Sequence, residues 1–598
     1  MADKIKPAID YTSRDFTTIK GDLVDYAKRY YPNQFRDFSA NSFGSLMLDT
    51  VAYVGDILSF YLDYQVNESF LDTAIEYNNV VKLAKQFGYN AALSPASYGT
   101  MTMFVLIPAE NGAPNLDYAP IVKRGSKFST GEGKIFTLLE DVNFEDNNKS
   151  EIVVGQVDAT TGTPLTYAVR ARGQAISGEL AVETQTVGSY QKFRTIEIAA
   201  QNVTEIVSVT DSEGNTYYEV DYLTQNTIYV PLINRNADRK TVPNILKPIA
   251  VPRRFTTRKE KDKIVIQFGF GSNEDKESVV DPANVLLNQH GKEYITDSSF
   301  DPAALLKTDR LGISPSDTAI TVVYRVNSSA NTNAPVNSIV NIVDAEMDFK
   351  QPESLSATSL ENVRGSLEVT NEEAFIGSNP FPDSAEIKER ALGSLAMQSR
   401  IVTKQDFITA CYNMPRNYGS IKKVNVAQDS DSFNQRNINI YVLSQDADGA
   451  LLTANNTIKN NLKTFLMSHK MINDTIDILD AKIINLQIYF KIVAFSDANK
   501  FGALQVAKDD VASFFADRRN YDIGEPFSIT DVYAVLKNSA PVLDVLEVQA
   551  LVKSGGEYAT TNFSIDQNMT ADGRMIHCPL DHCFEVKFPN IDIIGEIL

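Results

Sequence analysis

Histidine and cysteine are scarce, with four and three among 598 residues. Three cysteines in so long a chain do not make a disulfide framework, and the opening MADKIKPAIDYTSRDF lacks the apolar core of a leader. The chain is therefore expected to fold in a reducing cytoplasm. Few histidines restrict general-base chemistry, and His290 and His469 have no partners readable from spacing. Positive charge is short as well. The 56 Lys and Arg against 76 Asp and Glu leave a net charge of −20, which argues against broad nucleic-acid binding because phosphate contact needs a cationic surplus. The densest basic cluster, RRFTTRKEKDK at 253–263, is interrupted by Glu260 and Asp262 and reads as a solvated strand or loop edge. No Walker-type P-loop occurs. FGFGSNED at 268–275 holds one Gly-x-Gly, which suits a β-turn better than a nucleotide site. No cofactor is implied. No spacing marks an acid/base pair of carboxylates, although glycosidase pairs are defined in space rather than in sequence.

One cluster has metal-ligand chemistry. HCPLDHC supplies His577, Cys578, His582 and Cys583, which are zinc-type donors. The spacing opposes a single site, since adjacent strand residues point to opposite faces. The expectation is a turn between two strands, with these four as the candidate ligands were a metal to bind.

What is abundant is apolar surface in one stretch, SFGSLMLDTVAYVGDILSFYLDYQ at 42–65. It contains no proline and reads as a helix over about 43–66. Its only charges, Asp49, Asp56 and Asp63, are seven apart and fall on one stripe. Length would permit a membrane span, but each acid near the bilayer centre costs about 2.5–3.5 kcal/mol, so that reading is rejected. A helix apolar nearly all round is expected to be buried on several sides, with the acids on its one open or charge-paired edge. Ser45, Ala52, Gly55 and Ser59 form a small-residue strip where another helix can approach closely. These residues, with the three acids and Leu58, are the candidate interface residues.

The pattern along the chain predicts an α+β multidomain protein: an N-terminal helical bundle region, a β-rich middle and a C-terminal α/β sandwich. Residues 1–95 read as helical. Phe16, Ile19, Leu23, Tyr26 and Tyr30 mark one helix face, with Thr12 and Asp15 at its start. Phe70, Ala74, Tyr77, Val81 and Ala84 mark a third helix ending near Gly88. Residues 96–350 read as short strands with Gly, Asn and Asp turns, including strands at 100–108 and 133–142 and a hairpin around Ser212–Asn215. Within this region 145–265 is a candidate inserted subdomain, and VNSSANTNAPVNS at 326–338 a polar hinge or tip. Residues 351–430 read as helical, with Thr403 as an N-cap and Asp406 three residues on. Residues 431–555 suggest a βαββαβ ferredoxin-like domain, and 556–598 a β-rich tail.

The blocks YTSRDFTTIKGDLVDYAKRYYPNQFRDFSANSFGSLMLDTVAYVGDILSFYLDYQ and, most specifically, NESFLDTA with VVKLAKQFGY resemble the N-terminal helical region of the large baseplate wedge proteins of contractile-tailed, T-even-type phages. These are the "gene-product-six" proteins, related to the baseplate J family. IVKRGSKFSTGEGKIFTLLEDV, SSFDPAALLKTDRLGISPSDTAITVVYRV, PDSAEIKERALGSLAMQSRIVTKQDFITACYNMP and CFEVKFPNIDIIGEI continue the resemblance in order, with Arg400–Thr403 at the baseplate J motif step. The resemblance implies a structural virion protein without enzymatic activity, assembled in the host cytoplasm into the inner baseplate ring around the tail tube. It implies N-terminal helices that bundle with other wedge subunits, further copies of the chain in a dimer or ring, and a rearrangement on sheath contraction. Tail-tube and sheath-initiator proteins are candidate neighbours; nucleic acid and membrane insertion are not implied. The alternatives are a tail-associated carbohydrate- or cell-wall-acting hydrolase and a receptor-binding module in the β-rich middle.

Overall fold

The computed structural model describes residues 15–34, 39, 42–90, 93–146, 150–158, 160, 162–233, 244–260, 263–271, 311–379, 382–398, 400–429, 434, 436–446, 449–495, 499–517 and 521–598. Thr12, His290 and residues 298–310 of the 298–326 block lie outside the described residues. The chain is a mixed α+β multidomain protein and divides into two compact units, Met1–Asn90 with Pro382–Ser399, and Ala91–Phe381 with Arg400–Leu598.

The first unit is helical. Helix α1 (Phe16–Tyr30) starts at Asp15, whose carboxylate accepts the N–H of Thr18 at 2.9 Å. Helix α2 (Phe43–Asn67) starts at Ser42, whose hydroxyl accepts the N–H of Ser45 at 3.1 Å. Helix α3 (Tyr77–Gln86) is shorter than the apolar spacing suggested. Residues 68–76 do not continue the helix because the buried Glu68 carboxylate accepts the backbone N–H groups of Ile75 (2.8 Å) and Glu76 (3.2 Å) and the side-chain amide of Asn79 (2.9 Å), folding the segment into a closed loop. Phe70, expected on the inward face, is exposed. A helix from far along the chain, Ser384–Met397, completes the unit. It packs on α3, Lys388 Nζ donates to the carbonyl of Asp72 at 2.7 Å, and Arg390 reaches the Tyr89 hydroxyl. The expected helical segment 351–430 is thus split, since Lys404–Tyr412 belongs to the other unit.

The second unit holds two large sheets. The eight-stranded sheet runs Ile339–Asp344, Lys127–Thr130, Ile135–Leu138, Pro164–Ser177, Tyr98–Glu110, Ala113–Pro114, with Glu368–Thr370 added to Tyr98–Glu110 and Ser150–Val157 added to Pro164–Ser177. Met101, Met103, Val105 and Ile107 alternate inward along its long strand and meet Phe128, Phe136 and Phe375 in a closed core. The seven-stranded sheet runs Thr195–Ile198, Lys263–Phe268, Arg254–Glu260, Thr216–Glu219, Val203–Asp211, Thr318–Val326, Glu179–Val187. Its two ends meet where Gln185 Nε2 donates to the carbonyl of Glu197 at 2.8 Å. The expected turn at Ser212–Asn215 is present, with Val209 opposite Tyr217. A separate two-stranded antiparallel ribbon pairs Thr227–Ile233 with Asn244–Ala250.

The polar 326–338 stretch is only in part an exposed tip: Ser328, Ala330, Asn331 and Pro335–Asn337 are exposed, whereas Asn327 and Thr332–Ala334 are buried. Asn333 Oδ1 accepts from Ser97 Oγ and from Ser378 N, both at 2.9 Å, while Asn333 Nδ2 donates to the carbonyl of Gln445 at 3.0 Å. Ser177 Oγ donates to Asn327 Oδ1 at 3.0 Å, and Asn327 Nδ2 donates to the carbonyl of Pro95. This node ties the eight-stranded sheet, the strand Thr318–Val326 and the C-terminal region together. Composition alone could not distinguish it, because a solvated loop and a fully satisfied buried network use the same residues.

Downstream of 420 the elements expected of a single βαββαβ domain are all present but divide between two four-stranded sheets. Asn437–Gln445 pairs with Lys423–Gln428 and Leu451–Leu452, and takes Thr475–Asp480 in parallel. Lys482–Ala494 pairs instead with Val542–Lys553, and takes His582–Glu585 and Ile593–Ile597 in parallel. The expected tail is therefore part of the second sheet. Glu585, buried on it, accepts from Leu451 N and Asn485 Nδ2, both at 2.8 Å, and so joins the two sheets. Gly595 lies so close to Phe490 that a Cβ there would sit 2.5 Å from the ring, so only glycine fits.

Candidate assembly surface on the N-terminal helices

Helix α2 is turned the opposite way from the usual amphipathic helix. Ser45 and Ala52 are its buried residues, and Asp49, Asp56, Ser59 and Asp63 are half-buried. Spaced 4-3-4-3-4, these six form one seam, so the acidic stripe and most of the small-residue strip lie along a single line. Helix α1 packs on it. Lys20 Nζ lies 2.6 Å from Asp49 Oδ1, an ion pair outside aligned hydrogen-bond geometry. A Cβ at Gly55 would touch Ile19 Cδ1 and Cγ2 at 3.4 Å, which explains the small residue there. Phe16, Ile19, Lys20, Leu23, Val24 and Ala27 are the half-buried positions of α1, while Tyr26 and Tyr30 are exposed and touch each other in a tilted arrangement, centroids 4.8 Å apart.

The candidate interface residues Ser45, Asp49, Ala52 and Gly55 are thus accounted for inside the chain. Asp56, Ser59 and Asp63 continue the same seam. Leu58 alone of the eight belongs to the outward side, where it is 62 % exposed. With it are ten more exposed large apolar side chains of α2, among them Phe43, Tyr53, Phe60, Tyr61 and Leu62. By length and composition the helix is apolar enough to cross a membrane, yet only 11 % of its most apolar window is buried. Contiguous exposed apolar faces are uncommon on proteins that stay monomeric in water.

Glu68, which spacing did not single out, fixes the chain as it leaves α2. Burial by itself would raise its carboxyl, but hydrogen bonds from Asn79, Ile75 and Glu76, aided by the Lys388 charge, outweigh that and hold it below the ordinary value of 4.5. This gives a physical reason for the NESFLDTA motif. At the second motif step, Thr403 and Asp406 form a reciprocal capping box, Thr403 Oγ1 accepting from Asp406 N at 3.2 Å and Asp406 Oδ2 from Thr403 N at 2.8 Å.

The four HCPLDHC residues do not converge. Cys583 Sγ donates to the carbonyl of Tyr521 and Cys578 Sγ to that of His582, while His582 Nδ1 sits 2.7 Å from Asp581 and His577 is exposed. Burial pushes the Cys578 thiol up to about 12 and Cys583 higher still, which disfavours the thiolate a metal needs. Among the described residues no three His, Cys, Asp or Glu side chains are grouped to hold a metal ion.

Comparison with known proteins bears on the same helices. No curated protein matches the chain. Two solved assemblies share long stretches of it at low similarity. A chain of the anti-feeding prophage (AFP) baseplate is 9 % identical, with 98 % of this chain and 99 % of that chain covered and a TM-score of 0.28. A chain of the type VI secretion system TssK–TssF–TssG baseplate subcomplex is 8 % identical, with 72 % and 95 % covered and a TM-score of 0.25. At those scores neither carries an argument. The informative match is to a family model: residues 15–86, which contain α1, α2 and α3, match the bacteriophage baseplate protein N-terminal domain, a structural rather than a catalytic family.

Proposed function

We propose that this chain is a structural subunit of a phage baseplate wedge in a contractile tail, part of the inner ring around the tail tube, which links wedges and rearranges when the sheath contracts. The observation that carries the reading is the exposed apolar face of α2, lying within the baseplate-type segment. Fully burying one Leu or Phe contributes about 1.5–3 kcal/mol. Eleven side chains roughly half in water therefore hold back on the order of 10 kcal/mol, comparable with the cost of bringing two proteins together. Helices of other baseplate subunits, or of further copies of this chain, are the partners that fit such a face. A bilayer fits less well, because α1 carries Lys20, Asp22, Asp25, Lys28 and Arg29 along the helix packed on α2.

The test is native mass spectrometry and light scattering of the full chain, alone and with its companion baseplate subunits. Defined oligomers or mixed complexes are expected. Leu58→Asp is expected to abolish or strongly weaken them, and Asp56→Asn to change them little. A strictly monomeric protein that joins no companion subunit would refute the proposal.

A further inference from the structure

The strand Ser150–Val157 hydrogen-bonds one neighbour among the described residues, Pro164–Ser177, in antiparallel register from Ser150 opposite Ala171. Its other edge has no strand partner among the described residues. Ile152, Val153, Val154 and Val157 are exposed, and they come from both faces of the strand. An edge of this kind is a template for another strand, and proteins guard such edges with proline, lysine, other charges or cover. Several other edges of this chain carry those guards, although Ile339–Asp344, at one end of the same sheet, has only Asp344 and exposes Val340, Ile342 and Val343. The ribbon strands contain Pro231 and Pro248, Val542–Lys553 contains Asp544, Glu547 and Lys553, and Thr475–Asp480 contains Asp477 and Asp480. The outer strands of the seven-stranded sheet cover each other through Gln185 and Glu197. Ser150–Val157 has neither proline nor lysine, and its one charge, Glu151, is engaged by Arg170 at 3.2 Å on the neighbouring strand. The register shift beyond Val154 leaves 150–154 regular.

We propose that Ser150–Val157 pairs with the same strand of a second copy of this chain, antiparallel across a two-fold axis perpendicular to the sheet. The strand is complementary to itself in that arrangement. With the axis through Val153, Ile152 of one copy lies opposite Val154 of the other within the regular stretch, so branched side chains meet on both faces, and Glu151 falls opposite the shifted Gly155 with no like charge against it. The surface is distinct from α2 and does not depend on the wedge reading.

The full chain tests it, in the natural sequence and in a Leu58→Asp background that removes association through α2. Sedimentation velocity is expected to show a dimer that persists in Leu58→Asp and weakens at least tenfold on adding Val153→Lys, with the circular dichroism spectrum unchanged. Val153→Cys is expected to form a disulfide-linked dimer on mild oxidation, because the two-fold brings the two residues within bonding reach. Val182→Cys, equally exposed on a covered sheet end, is the control that stays monomeric. Self-association indifferent to Val153→Lys, together with no faster cross-linking at 153 than at 182, overturns the proposal. Protection of the edge only when another baseplate subunit is added overturns it too, since the partner strand would then be foreign.

Discussion

Replacing Asn333 by alanine isolates the buried polar node. The Asn333 side chain makes three hydrogen bonds at 2.9, 2.9 and 3.0 Å and its residue is 1 % exposed. Alanine would leave the N–H of Ser378 and the carbonyl of Gln445 without this partner, whereas Ser97 Oγ keeps Thr332 Oγ1 at 2.9 Å. Each buried group left unsatisfied costs about 1–3 kcal/mol, so the expected loss for the two is about 2–6 kcal/mol. Asn333→Asp is expected to be worse, because it keeps the acceptor but sets a buried negative charge against the Gln445 carbonyl. The assay is urea denaturation followed by far-ultraviolet circular dichroism, with Ser328→Ala, on an exposed position of the same stretch, as the reference near zero. Asn333→Ala costing under about 1 kcal/mol, or no more than Ser328→Ala, would show that the stretch is solvated and refute the buried-node account.

Glu68→Gln tests the loop after α2. A carboxyl held below 4.5 in the folded protein stabilises it above that pH, and the contribution disappears as pH falls through the lowered value, so the variant is expected to lose about 1–2 kcal/mol at pH 7 and to converge with the natural protein in acid. Equal differences at pH 7 and pH 3 would contradict this. Gly55→Leu is expected to overpack the α1–α2 seam by about 1–3 kcal/mol, visible as faster amide exchange in α1; unchanged exchange would mean α1 does not rest on Gly55. Glu585→Ala is expected to cost about 2–5 kcal/mol and to expose Leu451 N to exchange, because it strips a buried carboxylate from two donors. Retained protection at Leu451 would place the joint between the two C-terminal sheets elsewhere.

Local signals were readable where the residues that make them are adjacent in sequence. Phe43–Asn67 matches the expected 43–66 to within a residue because the apolar run is unbroken and Ser42 caps it. The turn at Ser212–Asn215 and the Thr403–Asp406 capping box follow from short-range hydrogen bonding alone. What spacing could not settle was which side of a helix faces inward. Apolar residues on α2 outnumber the positions α1 can cover, so α1 took the small and acidic line and left the apolar one in water. Long-range pairing was equally hidden. Elements from 437 to 553 have βαββαβ order, but Ile593–Ile597 and His582–Glu585 claim the edge of Lys482–Ala494 and separate it from Asn437–Gln445. Glu68 and Asn333 act through partners whose identity only the fold reveals.

The late return of Ser384–Met397 to the first unit imposes a timetable on synthesis. Helix α3 leaves the ribosome roughly 300 residues before the helix that packs on it, which at 5–20 residues per second is about 15–60 seconds. Through that interval α2 already displays its apolar side while its unit is incomplete. A nascent chain in this state has time to be captured by a companion subunit, a chaperone or a neighbouring nascent copy, so translation speed between codons 90 and 384 becomes a lever on whether the chain assembles or aggregates.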